Sequence, residues 1–126
     1  MSEKSRILIV EDNDFVRMQI VRFLDEAGFE VIEAADGQQA LDKINENIDI
    51  AIVDVRMEPI DGFEFIRTIR GQNMETPVIL VTGDQNPDLL NEANKWGVAA
   101  VLMKPVQRDR LVKTVTRTIQ TIARAS

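Results

Sequence analysis

The stretch Ile50-Ala51-Ile52-Val53-Asp54 decides the fold, because four consecutive apolar residues run directly into a carboxylate. Three other apolar runs also end on residues that can handle phosphate or a metal ion: Ile7–Val10 before Glu11-Asp12, Val78–Val81 before Thr82, and Val98–Met103 before Lys104-Pro105. A fifth run, 29–34, alternates with glutamates and is expected at a sheet edge. Short apolar runs that alternate with helix-period segments are typical of a parallel sheet with helices on both faces. The sequence therefore predicts a doubly wound α/β fold.

The polar residues at these strand ends are expected to meet at one place. In an open parallel sheet the carboxyl ends of the strands share one edge, and ligands bind in the crevice there. The set that converges is three carboxylates, a hydroxyl and an ammonium: Glu11, Asp12, Asp54, Thr82 and Lys104. Such a set can hold a hard divalent cation, accept a phosphoryl group on a carboxylate and bind the new phosphate oxygens. Each residue alone has a simpler interpretation, as a helix cap, a turn or a strand exit, but the joint pattern favours a phosphoryl site.

The amino-acid composition excludes several classes of function. The 126 residues, 44% apolar and 29% charged, predict one globular domain over 1–126 with its core at about 5–123. The absence of cysteine and histidine excludes disulfides, thiolate catalysis, a Ser-His-Asp triad and zinc chemistry, and leaves oxygen-ligated magnesium or calcium. The net charge of −6 opposes nucleic-acid binding. With neither a signal peptide nor a transmembrane-length apolar stretch, the chain is expected to be cytoplasmic.

Four segments together resemble the receiver domain of bacterial two-component response regulators, over essentially the whole chain: Ile7–Asp12, Ile52–Asp54 with Met57 and Asp61-Gly62, Pro77–Gly83, and Leu102–Pro105. The resemblance implies a flavodoxin-like fold with five parallel strands in the order 2-1-3-4-5 and five flanking helices. It also implies that the chain is not an enzyme, apart from self-catalysed phosphoryl acceptance and slow autodephosphorylation.

The same resemblance assigns roles. Asp54 would accept the phosphoryl group from a phosphohistidine on a sensor histidine kinase or a histidine phosphotransfer protein. Asp12 and Asp54 would ligate Mg²⁺, or Mn²⁺ in its place, with Glu11 acting mostly through water and the backbone carbonyl of Arg56 completing the protein ligands. In addition, Thr82 and Lys104 would hold the phosphoryl oxygens.

The output would be protein–protein contact through helix four, strand five and helix five, without direct nucleic-acid or membrane contact. The downstream protein target is unknown, and a phosphorylation-dependent dimer is a further expectation.

Three positions depart from the family pattern. Val101 stands three residues before Lys104, where the family usually has an aromatic residue that swings inward. Glu58 follows Met57 where the family has proline, which brings another carboxylate near the site. Trp96 precedes Gly97 where a small or aliphatic residue is usual, and either core packing or a partner contact explains it.

Two pairs of residues suggest finer hypotheses. Arg56 and Asp84 lie two residues beyond Asp54 and Thr82, so their opposite charges are expected to pair over the phosphoryl group and slow its hydrolysis. Phe15 and Met18 are expected on the outer face of helix one, as a small apolar surface that docks a phosphotransfer helix.

Other functions stay open at this point. A relay shuttle and a phosphorylation-independent binding module would use the same fold. An aspartate-nucleophile phosphatase wants a second carboxylate two residues after the nucleophile, where this chain has Arg56. A flavin or dinucleotide module wants a Gly-, Thr- or Ser-rich loop after strand one, where Glu11, Asp12 and Asp14 would repel phosphate.

Overall fold

Five strands and five helices alternate along the chain in the computed structural model, which describes residues 4–84 and 86–125. The strands are β1 (Arg6–Val10), β2 (Glu30–Ala34), β3 (Ile50–Asp54), β4 (Val78–Thr82) and β5 (Ala100–Met103). The helices are α1 (Asp14–Glu26), α2 (Gly37–Lys43), α3 (Gly62–Gly71), α4 (Pro87–Lys95) and α5 (Arg108–Ala125).

The strands form one parallel sheet in the order β2-β1-β3-β4-β5. This confirms the predicted fold class and strand order. It places β3 at the centre of the sheet, with Asp54 as its last residue. The strand β2 lies at one edge beside β1, as the alternation of its glutamates with apolar residues predicted.

Alternate residues of each central strand pack in two separate cores, one on each face of the sheet, because successive side chains of a strand point to opposite faces. On β3, Ala51 and Val53 pack in the core that also contains side chains of α2, α3 and α4. The neighbouring residues Ile50 and Ile52 pack in the opposite core, with side chains of α1 and α5. Among the described residues, no helix combines the length and the apolar character that crossing a membrane requires.

Side-chain caps set where four of the helices begin. The side chains of Asn13, Asp36, Asp61 and Asn86 each accept a hydrogen bond from a backbone N–H in the first turn of α1, α2, α3 and α4. The sequence pattern predicts a fourth helix over Asp84–Trp96, and its predicted start is wrong, because Asn86 caps the helix and Pro87 occupies its first position. The predicted start of β5 at Val98 is also two residues early, since the N–H of Val98 still bonds back to Ala93.

Gly62 allows the start of α3 to lie against the end of the central strand. Its N–H donates to the carbonyl of Val55 at 2.9 Å. A Cβ atom at this position would lie 2.6 Å from the carbonyl oxygen of Asp54, far inside van der Waals contact. The close approach therefore requires glycine, and it positions the loop that follows Asp54.

Candidate functional site

Three carboxylates meet at the carboxyl edge of the sheet, as the sequence predicted. Glu11 and Asp12 follow β1, and Asp54 ends the neighbouring strand β3. One oxygen from each of the three residues lies within 4.8 Å of the others. The side chains differ in exposure, since Glu11 is 1% and Asp54 5% exposed, whereas Asp12 faces solvent.

Lys104 brings a cation to the two buried carboxylates. It follows β5, and its backbone N–H donates to the carbonyl of Thr82 at 2.9 Å. Its side chain reaches back across β4, so that Nζ lies 2.9 Å from Oε1 of Glu11 and 3.3 Å from Oδ2 of Asp54. The predicted convergence of the ammonium on the carboxylates is thus confirmed.

Burial and neighbouring charge shift the pKa values of Glu11 and Lys104. Burial raises the pKa of Glu11, and the nearby Asp54 carboxylate raises it further, while the ion pair with Lys104 partly opposes both effects. Burial on its own would lower the pKa of Lys104, but its contacts with Glu11 and Asp54 outweigh that effect, and the net direction is upward. At neutral pH the ammonium is therefore firmly held in its charged form.

The loops that follow β3 and β4 are connected to each other and to the site by hydrogen bonds and an ion pair. The backbone N–H of Arg56 donates to Oδ1 of Asp54 at 3.3 Å, and that of Asp84 donates to the buried hydroxyl of Thr82 at 3.0 Å. The side chains of Arg56 and Asp84 then form an ion pair with each other. The predicted pairing of these two residues is confirmed.

The donor set fits a divalent cation with oxygen ligands. Three carboxylates and one ammonium leave two negative charges without a compensating protein cation within the cluster. Hard cations such as Mg²⁺ take carboxylate oxygens as ligands and would neutralise this excess. A cleft of about 590 Å³ opens beside Asp12 and is lined in part by Arg56 and Glu58. Glu58 therefore lies beside the site, as expected.

The other two departures from the family pattern lie outside the carboxylate cluster. Val101 is half-buried and packs against the core formed with α2, α3 and α4. Trp96 is also half-buried against that core, and its Nε1 donates to Oε1 of Glu92 at 3.0 Å. Of the two interpretations of Trp96, core packing is the one that these contacts support.

Arg17 is a site neighbour that sequence reasoning missed. Its Nη1 donates to the backbone carbonyl of Glu11 at 2.8 Å, directly before Asp12 in the chain. In the sequence around Arg17, the one indication of a contact is its spacing from Asp14, which suits an ion pair within one helical turn. That spacing is common on exposed helices, so it does not reveal the contact with Glu11.

The fold and the site together define a doubly wound α/β protein with an acidic, lysine-bearing site at the carboxyl edge of its sheet. Residues 7–116 match the sequence model of the response regulator receiver domain. The chain belongs to that family.

Relatives of this chain include both long and short proteins. The CAI-1 autoinducer sensor kinase/phosphatase CqsS of Vibrio cholerae is 35% identical over 114 residues, which cover 87% of this chain and 17% of that protein. Chemotaxis protein CheY of Bacillus subtilis is 32% identical over 116 residues, which cover 90% of this chain and 97% of that protein. The chain thus spans a small part of the first relative and nearly all of the second.

A solved structure agrees with the fold. Chemotaxis protein CheY4 of Vibrio cholerae superimposes with a TM-score of 0.87 at 34% sequence identity, covering 92% of this chain and 99% of that one.

Proposed function

We propose that this receiver domain accepts a phosphoryl group on Asp54 from a phosphohistidine donor in a Mg²⁺-dependent reaction, and then signals through protein–protein contacts. The observation that carries the proposal is the environment of Asp54. This carboxylate ends the central strand, lies within 4.8 Å of two other carboxylates by its nearest oxygen, and is paired with Lys104.

The transfer would proceed by in-line attack. A carboxylate oxygen of Asp54 attacks phosphorus, a P–O bond forms as the P–N bond to the donor histidine breaks, and the leaving imidazole keeps the electron pair. Glu11, Asp12 and Asp54, with the backbone carbonyl of Arg56, are the proposed ligands of Mg²⁺ or of Mn²⁺ in its place. A cation held by these residues would shield the repulsion between the attacking carboxylate and the incoming phosphate.

Two residues are suited to bind the product. Lys104 already reaches Asp54, so its ammonium is within range of a phosphoryl oxygen carried on that carboxylate. Thr82 ends the strand next to β3, and its hydroxyl can donate to another oxygen. Movement of either residue would pull on the loops after β4 and β5.

An output surface on α4, β5 and α5 has side chains that suit a protein partner. Each of these elements exposes a large apolar residue: Leu90, Met103 and Ile122. Since Val101 carries no ring that can rotate, the signal in this chain would travel through the backbone that joins Thr82 and Lys104.

The direct test is the intact mass of the protein after incubation with acetyl phosphate and Mg²⁺, with Asp54→Asn as the control. A Mg²⁺-dependent gain of one phosphoryl group by the parent alone supports the proposal. No gain, under conditions that modify a known receiver domain, would contradict it and favour a phosphorylation-independent binding role. Cellular location stays a prediction.

A further inference from the structure

Arg17 connects three parts of the molecule next to the carboxylate cluster: the end of β1, the first turn of α1, and β2. All of its guanidinium nitrogens are engaged: Nη1 donates to the carbonyl of Glu11 at 2.8 Å, Nη2 to Oδ1 of Asp14 at 2.6 Å, and Nε to Oε1 of Glu33 at 3.1 Å. The side chain is only 14% exposed, although it carries a full charge. Such a planar arrangement of donors to several acceptors is a property of arginine that lysine lacks.

The carbonyl that Arg17 holds belongs to the peptide unit between Glu11 and Asp12. The other side of Glu11 is also fixed, since its N–H donates to the carbonyl of Ala34 on β2 at 3.1 Å. Because a peptide unit is planar, the direction of its carbonyl also sets the direction in which the next residue leaves. Arg17 therefore restricts the backbone from which the Asp12 carboxylate projects.

This restriction matters because, of the three carboxylates, only that of Asp12 is exposed to solvent. Glu11 and Asp54 are buried and contact Lys104, whereas the Asp12 side chain is exposed. Its place beside the other two carboxylates depends on the turn that carries it. Groups that orient the ligands of a metal contribute to metal affinity without touching the ion.

We propose that Arg17 is a positioning residue for the divalent-cation site, acting through the Glu11–Asp12 peptide; this inference rests on the proposed function. The anchors Asp14 and Glu33 keep the guanidinium in place from α1 and β2. Removal of Arg17 frees the peptide to rotate, and the Asp12 carboxylate then spends less time within reach of Asp54.

The test measures Mn²⁺ binding directly, by the electron paramagnetic resonance signal of free Mn²⁺, in the unphosphorylated protein. Arg17→Met is expected to raise the dissociation constant on the order of 10-fold. The concentration of Mg²⁺ that gives half the maximal rate with acetyl phosphate should rise in parallel, while the rate at saturating Mg²⁺ is retained. Arg17→Lys, which can still donate one hydrogen bond to the carbonyl, should recover part of the affinity.

Arg22→Met is the matched control, because Arg22 is an exposed residue of the same helix and its loss changes the net charge by the same amount. Removing a positive charge should by itself favour cation binding, so weaker binding by Arg17→Met alone points to positioning. If Arg17→Met does not fold, Glu33→Ala is the second variant. It removes the partner of Arg17 on β2 and should weaken Mn²⁺ binding by a smaller factor.

A folded Arg17→Met protein that binds Mn²⁺ as tightly as the parent overturns the inference and leaves the proposed function intact. A parent protein that binds no Mn²⁺ overturns the proposed metal site and this inference together.

Discussion

Arg56 and Asp84 form an ion pair that joins the loop after β3 to the loop after β4. The backbone N–H groups of the same two residues donate to the side chains of Asp54 and Thr82. The hydrogen bond from Arg56 lowers the pKa of Asp84, so that carboxylate stays ionised at neutral pH. The two loops that surround the proposed acceptor are thus linked through both backbone and side chains.

This link predicts a slow loss of the phosphoryl group from Asp54. Arg56→Ala frees the two loops from each other and opens the side from which water approaches, so the phosphorylated state should decay several-fold faster. Stability should change little, since exposed ion pairs contribute little to folding. The measurement is the half-life of the phosphorylated protein by intact mass after removal of acetyl phosphate.

Arg67→Ala is the control for this prediction, because it breaks a comparable ion pair between Arg67 and Glu92, on α3 and α4. Its half-life should match that of the parent. A half-life for Arg56→Ala that equals or exceeds the parent's would show that the ion pair does not protect the phosphoryl group.

Glu11→Gln is expected to stabilise the protein at pH 7 in the absence of divalent cations. Burial and the nearby Asp54 raise the pKa of Glu11 above its ordinary value of 4.5, so the charged form costs folding free energy at neutral pH. The cost declines as the pH falls through the raised pKa, and it vanishes below the ordinary value, where the carboxyl is protonated in both states. Urea unfolding at pH 7 and at acidic pH measures the difference between variant and parent.

Mg²⁺ should reverse part of that difference, because a ligand that binds only the folded state stabilises it. The parent, with all three carboxylates, should gain more stability from Mg²⁺ than Glu11→Gln does. Lower stability of Glu11→Gln at pH 7 without Mg²⁺ would mean that the ion pair with Lys104 outweighs the burial of the carboxylate.

Gly62→Ala is expected to destabilise the fold by about 1–3 kcal/mol, the cost typical of overpacking a close contact. The added methyl group would lie 2.6 Å from the carbonyl oxygen of Asp54, and either α3 or the end of β3 must move. Thermal unfolding measures the effect, and phosphoryl gain from acetyl phosphate should slow as Asp54 shifts.

The control lies at the other end of the same helix, where a Cβ atom on Gly71 meets no atom within 4 Å apart from its chain neighbours and the backbone of its own helix. Gly71→Ala should leave the stability unchanged or raise it slightly, since alanine favours a helix over glycine. Equal stability of Gly62→Ala and the parent would contradict the close approach of α3 to Asp54.

The sheet and the convergence of its polar strand ends could be predicted because they follow from local patterns. An apolar run that stops at Asp54, and similar runs elsewhere, fix both the strands and the edge where their ends meet. The start of α4 was predicted too early, because Asp84 and Asn86 are both good caps and only Pro87, which favours the first helical position, distinguishes them. Asp84 instead pairs with Arg56, a contact between residues distant in sequence that no local pattern reveals.

Arg17 was missed for a similar reason. Its partners Glu11 and Glu33 come from two strands, and nothing in the local sequence reveals that one helical arginine meets both. The fold fixes where a residue lies, whereas its role depends on the reaction in which it takes part. The assignments of Asp54, Thr82 and Lys104 therefore stay proposals.

Phe15→Ala is expected to slow phosphoryl transfer from a histidine phosphotransfer protein several-fold, without slowing uptake from acetyl phosphate. Phe15 and Met18 lie on α1 close to the carboxylate cluster in sequence and are 75% and 66% exposed. A protein donor can bury such side chains when it docks, whereas a small-molecule donor needs no docking surface. The measurement is the transfer rate from any phosphotransfer protein that phosphorylates the parent. Leu90→Ala, which removes an exposed apolar side chain from α4, is the control and should leave that rate unchanged. Equal transfer rates for Phe15→Ala and the parent would place the donor on another surface.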